Sequence, residues 1–230
     1  MPRKFREVFI LRNFEFFEPT TIAEASSLLI QYNGKAQLLA GGTDLLIAMK
    51  DRALTPEYVI SLEKIPGLDG IQYDAEDGLR IGAMTKIRTL EQSSTLQSDY
   101  TAFAEGAGEI GSIQIRNLAT LGGNICHGSP AADTAAALLV FSAQVRIASV
   151  AGERTVPIED FFLGPGKTVL KKGEIVTAFE CPPLKANSGS QYIKQKIREV
   201  MDLAFVGGAA SVQLKNGAVA DAKIGLAAVA

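Results

Sequence analysis

The sequence is poor in the residues that build metal centres and disulfides. It contains one histidine, His127, and two cysteines, Cys126 and Cys181, among 230 residues. One histidine excludes a multi-histidine metal site built by this chain alone. Two distant cysteines exclude a disulfide framework and a CxxC-type metal or cluster site. We expect no metal site in this chain, and a reducing, cytoplasmic compartment.

An excess of one charge and long apolar runs are also lacking. The chain has 23 Lys and Arg against 25 Asp and Glu, a formal net charge of −2. No global field would therefore attract nucleic acid or an anionic membrane. No run of about 18 apolar residues is present. We expect neither a nucleic-acid partner nor a membrane span.

The chain does have 47% hydrophobic residues, enough for a sizeable core in one or two domains. Its patterns indicate an α+β fold with mixed strands rather than a regular β–α–β alternation. Thr21 followed by Glu24 predicts a capping box, and Asn216-Gly217 predicts a hairpin. Apolar runs predict strands at 38–40, 58–62, 71–73, 79–81, 145–148, 155–157, 175–180, 206–214 and 218–227.

Helical patterns are fewer. They predict a short helix through Lys50 that Thr43-Asp44 caps, and a second short helix near residues 87–92 that Thr85 caps. Longer helices are predicted at 101–110 and 134–141. No helix or strand is predicted between Gly111 and Asp133, a region rich in Gly, Asn and Thr. Residues 185–189 are predicted to form a linker.

Two nucleotide-binding motifs match only superficially. Residues 106–111 fit GxGxxG, but a helical pattern precedes them where a dinucleotide fingerprint needs a strand. Gly166-Lys167-Thr168 resembles the end of a P-loop, yet Phe161 stands at the required first glycine. We predict that residues 106–111 form a glycine-rich helix end and that residues 166–168 belong to an ordinary loop.

Two glycine pairs are better candidates for a binding site. Leu38-Leu39-Ala40-Gly41-Gly42-Thr43-Asp44 reads as strand, turn and helix, where amides can face a phosphate. The second segment, 116–125, offers Thr120, the amides of Gly122 and Gly123, and Asn124. Together the loops would hold one pyrophosphate without a lysine, and Gly42 and Gly123 would have to be glycine. Two ordinary tight turns are the alternative.

These loops resemble the two FAD loops of the flavoprotein (medium) subunits of molybdenum hydroxylases, of the xanthine dehydrogenase and carbon monoxide dehydrogenase type. The resemblance continues in order along nearly the whole chain. It includes Ile81–Thr85, Ser129–Asp133, Asp160–Thr168 and Tyr192–Lys194 with Arg198, Asp202 and Ala204.

The resemblance implies an FAD-binding fold of the vanillyl-alcohol oxidase or PCMH type. Residues 1–184 would form that domain, with α/β subdomains at about 1–62 and 63–184. Residues 190–230 would begin an α+β C-terminal domain. Because that domain normally continues further in the family, we expect it to be incomplete and the chain to be short at its C-terminus.

The resemblance also implies the cofactor-binding residues. They are Leu38, Leu39, Ala40, Gly41, Gly42, Thr43, Asp44, Ile110, Gly111, Thr120, Gly122, Gly123, Asn124, Asp133 and Leu170. Asp133 would accept a hydrogen bond from a ribose or ribityl hydroxyl, although it could simply cap a helix. Leu170, or its neighbour Val169, would pack on an aromatic ring, although it could be core. His127 would be a loop residue near the flavin, and no catalytic residue is expected.

The implied function is electron transfer. A large subunit with molybdopterin and a small subunit with two [2Fe-2S] clusters would complete a hetero-oligomer, and FAD in this chain would pass electrons to a quinone, NAD or oxygen. Phe205 stands where some relatives have a lysine near the flavin, which puts NAD reduction in doubt. The alternatives are a free-standing FAD-dependent oxidoreductase and a non-catalytic nucleotide-binding module.

Overall fold

The computed structural model describes residues 11–199 and 201–229 as a mixture of short helices and strands. The helices are α1 Ile22–Gln31, α2 Leu45–Lys50, α3 Ile87–Gln92, α4 Ser94–Ser98, α5 Thr101–Gly108, α6 Ile113–Leu118, α7 Leu121–Cys126 and α8 Asp133–Val140. The strands are β1 Glu15–Phe17, β2 Ala36–Leu39, β3 Tyr58–Ser61, β4 Ile71–Asp74, β5 Gly78–Gly82, β6 Gln144–Ser149, β7 Gly152–Pro157, β8 Phe162–Gly164, β9 Lys167–Thr168, β10 Ile175–Cys181, β11 Ser188–Gln195, β12 Val206–Lys215 and β13 Ala218–Ala227. None of the helices in these ranges is long and apolar enough to cross a membrane.

The first sheet is parallel, with strand order β1-β3-β2. Helix α1 precedes β2 and begins as predicted, because the Glu24 amide donates to Thr21 Oγ1 at 3.1 Å. Ala25 of α1 and Ile60 of β3 are fully buried in the core of this unit. The chain leaves the end of β2 directly into the segment Ala40–Asp44, which the sheet therefore holds at its carboxyl edge.

The second sheet is antiparallel, with strand order β4-β5-β10-β6-β7. Its β4–β5 hairpin is the predicted one, and the Asp74 carboxylate accepts from the Glu76 amide at 2.7 Å to close the turn. The sheet shares one core with helices α3, α5, α7 and α8, in which Phe103 and Phe179 are fully buried.

The third sheet, β11-β12-β13, is also antiparallel. Asn216 and Gly217 turn its hairpin with φ of 54° and 78°, as the Asn-Gly pair predicts. The sheet packs on α5 and α8. Gly225 of β13 lies so close to α8 that an added Cβ would come within 3.2 Å of Leu139 Cβ.

Several local expectations were wrong. The region after Gly111 contains α6 and α7, because Ser112 and Thr120 cap these helices through their hydroxyls. Because glycine has poor helix propensity, the two glycines of α7 gave no helical signal in the sequence. Thr85 donates to Gly70 O instead of capping α3, Asp44 makes no capping bond, and β11 begins inside the predicted linker. The GxGxxG segment is, as predicted, the end of α5.

A buried polar cluster joins the third sheet to the helices. Tyr192 Oη donates to Asp133 Oδ1 at 2.5 Å, and Lys194 Nζ donates to Asp133 Oδ2 at 2.9 Å. The Lys194 and Asp133 side chains are 4% and 5% exposed. Burial first, and then the hydrogen bond to Asp133, raises the pKa of the Tyr192 phenol, so it stays a neutral donor. Lys194 therefore forms a structural ion pair with Asp133.

Loss of the Lys194 ammonium should lower the free energy of unfolding. Lys194→Ala leaves a buried carboxylate without its cation, and we expect the free energy of unfolding to fall by about 3–5 kcal/mol. The control Lys185→Ala removes an exposed pair with Asp221 and should cost at most about 1 kcal/mol. Urea unfolding measures both changes in stability, and equal effects of the two substitutions would contradict the role of burial.

Candidate functional site

A cavity of about 900 Å³ lies between the first sheet and the α7 region. This volume is in the upper part of the range typical of small-molecule sites. Twelve of the fifteen predicted residues line it: Leu38, Ala40, Gly41, Gly42, Thr43, Asp44, Ile110, Thr120, Gly122, Gly123, Asn124 and Leu170. The structure thus brings the two glycine segments together, although about 80 positions separate them in the sequence.

The two segments touch through their backbones. A Cβ on Gly41 would overlap Leu118 O and lie 2.8 Å from Ala119 Cα, so only glycine permits this approach. Gly122 is packed in the same way, because its Cβ would lie 2.8 Å from Ala83 O. A Cβ on Gly123 would meet only Thr120 Oγ1, at 3.0 Å, and Ala40 Cβ, at 3.8 Å. The strongest steric requirements therefore fall on Gly41 and Gly122.

The first segment presents unpaired backbone donors to the cavity. Within the described residues, the amides of Gly41, Gly42, Thr43 and Asp44 have no intramolecular acceptor. Gly42 has a φ of +73°, a left-handed conformation that glycine adopts without strain. This stretch of free amides leads into the first turn of α2.

The second segment is different, because its backbone amides donate to acceptors within the protein. The Gly122 amide donates to Ala83 O at 2.7 Å, and the Gly123 amide donates to Thr120 Oγ1 at 3.1 Å. The Asn124 amide donates to Thr120 O at 3.0 Å. Because these donors close α7 and fix it to its neighbour, only side chains of this segment remain available to a ligand.

Three predicted residues lie outside the cavity wall. Leu39 points beneath the loop, where a Cβ on Gly42 would meet its Cδ1 at 3.1 Å. Gly111 has a φ of +52° and lies next to Ile110, which does line the cavity. Asp133 is buried, and each of its carboxylate oxygens already accepts a hydrogen bond, from Tyr192 or from Lys194. It is the first residue of α8 and makes no capping bond, so the helix-cap alternative is not seen.

Sequence reasoning missed the far wall of the cavity, Lys171–Val176. Glu174 organises it by accepting from Arg154 Nε at 2.7 Å and from the Lys171 amide at 2.7 Å. The hydrogen bond from Arg154, and to a lesser degree that from Lys171, lowers the pKa of the Glu174 carboxyl, although burial opposes this. Because Arg154 and Glu174 are 20 positions apart, no local pattern reveals the pair.

Comparison with known proteins identifies this arrangement. Residues 12–184 match the family model described as the FAD binding domain in molybdopterin dehydrogenase. The chain belongs to this family. The predicted membership is therefore confirmed, and the chain is an FAD-binding oxidoreductase subunit of the molybdenum hydroxylase type, with an electron-transfer function.

Individual members of the family are similar over most of the chain. The xanthine dehydrogenase FAD-binding subunit of Escherichia coli O157:H7 is 39% identical over 88% of this chain and 69% of the relative. The carbon monoxide dehydrogenase medium chain of Hydrogenophaga pseudoflava is 36% identical over 94% of this chain and 75% of the relative. Both names denote one chain of a multi-chain enzyme.

The fold agrees with a solved structure of the same family. Carbon monoxide dehydrogenase from Hydrogenophaga pseudoflava, in a form that lacks the Mo-pyranopterin moiety of the molybdenum cofactor, superposes with a TM-score of 0.90. The two are 37% identical, and the match covers 95% of this chain and 75% of the other. The predicted α+β, PCMH-type FAD-binding fold is confirmed.

The backbone contact between the two segments can be tested by adding one methyl group at Gly41. Gly41→Ala forces Leu118 and Ala119 away, and we expect the free energy of unfolding to fall by about 1–3 kcal/mol. In the control Gly189→Ala the added Cβ meets nothing within 4 Å. Chemical denaturation of both variants should separate them, and an unchanged Gly41→Ala protein would contradict the close approach.

The Glu174 carboxylate predicts a pH dependence. Its folded-state pKa lies below the ordinary value of 4.5. The stabilisation is therefore complete above about pH 4.5 and is lost as pH falls through the folded pKa. Glu174→Gln should lower the free energy of unfolding by about 1–3 kcal/mol at pH 7. The gap to the unmutated protein should narrow below about pH 4.5. Glu57→Gln, in an exposed pair with Lys35, is the control. A gap that stayed constant with pH would count against this role of Glu174.

Proposed function

We propose that the cavity binds one FAD non-covalently and that the chain passes electrons through it between partner subunits and an external acceptor. The observation that carries the site assignment is the row of unpartnered amides from Gly41 to Asp44. Unsatisfied amides at a turn that opens a helix are favourable partners for phosphate oxygens. They line a cavity in a chain whose family is defined by FAD binding.

The pyrophosphate would lie against Ala40–Asp44. The glycine pair leaves no side chain between the backbone and the phosphates, so direct hydrogen bonds to the amides are sterically free. Thr120 adds a donor from the opposite side, because its oxygen accepts from the Gly123 amide while its hydroxyl proton remains available. This arrangement offers the phosphates backbone and hydroxyl dipoles.

The rest of the cofactor would lie along apolar walls. Leu38 lines the cavity beside β3 and would flank the adenosine half. Ile110 and Leu170 also line it and offer aliphatic surfaces for aromatic rings. Leu39 would act indirectly, by supporting the turn at Gly42 from below.

When bound, FAD supplies the redox chemistry. The residues of this chain bind it, orient it and limit the access of water. Cys126 also lines the cavity, but burial raises the pKa of its thiol to about 12, so it stays protonated and is not a nucleophile at neutral pH. We assign no catalytic residue to this chain.

The proposed partners follow from the family. A large molybdopterin subunit would oxidise the substrate, and a small subunit with [2Fe-2S] clusters would deliver electrons to this chain, in a cytoplasmic hetero-oligomer. The names of the relatives, medium chain and FAD-binding subunit, support a multi-chain enzyme. The acceptor would be a quinone, NAD or oxygen, and Phe205 provides no charge that would favour NAD.

Reconstitution tests the site. The flavin-free protein should bind FAD stoichiometrically, and acid precipitation should release all the yellow colour into the supernatant. Gly42→Ala should weaken binding by about tenfold or more, since its methyl group meets Leu39 and Leu46 and shifts the donor loop. Gly67→Ala is a matched control, because φ is +75° there against +73° at Gly42, and nothing lies within 4 Å.

Two outcomes would contradict the proposal. Colour retained in the acid pellet would indicate a covalent flavin. Equal FAD affinities for the two glycine variants, with both proteins folded, would remove the amide loop from the site.

A further inference from the structure

The side-chain amide of Asn124 is held by one partner. Thr134, near the start of α8, donates its hydroxyl proton to Asn124 Oδ1 at 2.7 Å. Asn124 lies in α7 and lines the cavity. Asn124 Nδ2 has no protein acceptor among the described residues, and it is not buried. The two amide protons are therefore accessible to a molecule in the cavity.

The orientation of an asparagine amide decides what it can bind. Its carbonyl oxygen only accepts hydrogen bonds and its nitrogen only donates them. With Oδ1 turned to Thr134, the cavity receives donors, which suit phosphate, hydroxyl or carbonyl oxygens. The opposite orientation would present an acceptor, which phosphate and carbonyl oxygens would repel.

Thr134 is itself fixed. Its side chain is fully buried, so water cannot easily replace the hydroxyl. The preceding residue, Asp133, is anchored by Tyr192 and Lys194 from the third sheet. The hydroxyl of Thr134 therefore has a defined position from which to hold Asn124.

We infer that Thr134 is a positioning residue that makes Asn124 a hydrogen-bond donor to an oxygen of FAD. This inference rests on the proposed function of the cavity. It also gives the buried Asp133 cluster a role at the site, since that cluster fixes the end of α8 that carries Thr134. Thr134 touches no cofactor; it acts only through Asn124.

A double-mutant cycle tests the inference. FAD affinity is measured by flavin fluorescence for the unmutated chain, Thr134→Val, Asn124→Ala and the double variant. Thr134→Val keeps the shape of the side chain but removes the hydroxyl, and we expect the Kd for FAD to rise about 5- to 10-fold. Thr134→Ser keeps the hydroxyl and should stay within about twofold of the unmutated chain. In the Asn124→Ala background, Thr134→Val should change the Kd by less than about twofold.

A control separates positioning from stability. Ser211→Ala removes a hydroxyl that donates to Val140 O at the other end of α8, remote from Asn124. It should lower stability without changing the Kd for FAD. Thr134→Val acting equally with and without Asn124 would overturn the inference. So would a Thr134→Ser variant as weak as Thr134→Val.

A second measurement needs no substitution at Thr134. The Asn124 side-chain NH2 signals in a ¹⁵N spectrum, assigned by their loss in Asn124→Ala, should shift when FAD binds. Unshifted signals on a protein saturated with FAD would overturn the inference while leaving the proposed function intact. If the unmutated chain does not bind FAD at all, the proposed function itself fails.

Discussion

The site depends on one steric constraint, the contact between Gly41 and the backbone of Leu118 and Ala119. Two parts of the fold meet there: the carboxyl edge of the parallel sheet and the short helices that cover the antiparallel sheet. The approach closes one side of the cavity without using a side chain. It also sets the distance between the free amides of the first loop and the side chains of Thr120 and Asn124. A larger residue at Gly41 would change that distance.

The two glycine pairs look alike in the sequence, but their backbone amides have different roles. Around Gly42 the backbone amides have no acceptor among residues 11–199 and 201–229, so these donors are available to a ligand. Around Gly122 the same kind of backbone is fully used, because its amides hold α7 against Ala83 and Thr120. One pair therefore leaves its donors free for a ligand, and the amides of the other are used in packing. Only hydrogen-bond partners distinguish them, and those partners are distant in the sequence.

This difference marks how far the sequence could predict the site. Local signals worked where the cause is local, as in the Thr21 cap, the Asp74 turn and the Asn216-Gly217 hairpin. The glycine pairs and the family resemblance located twelve of the fifteen expected cavity residues. The sequence did not predict the partners of Asp133, because Tyr192 and Lys194 come from a strand about 60 positions later. The wall at Glu174 was missed for the same reason.

The order of folding events follows from the contact at Gly41. The cavity has its binding geometry only when segments far apart in the sequence have docked. Closing the long chain segment between them costs conformational entropy before any ligand can compensate. We therefore expect FAD to bind only after the two sheets have assembled. Its binding energy then acts mainly on the unfolding rate, so the cofactor would extend the lifetime of the folded protein more than it accelerates folding.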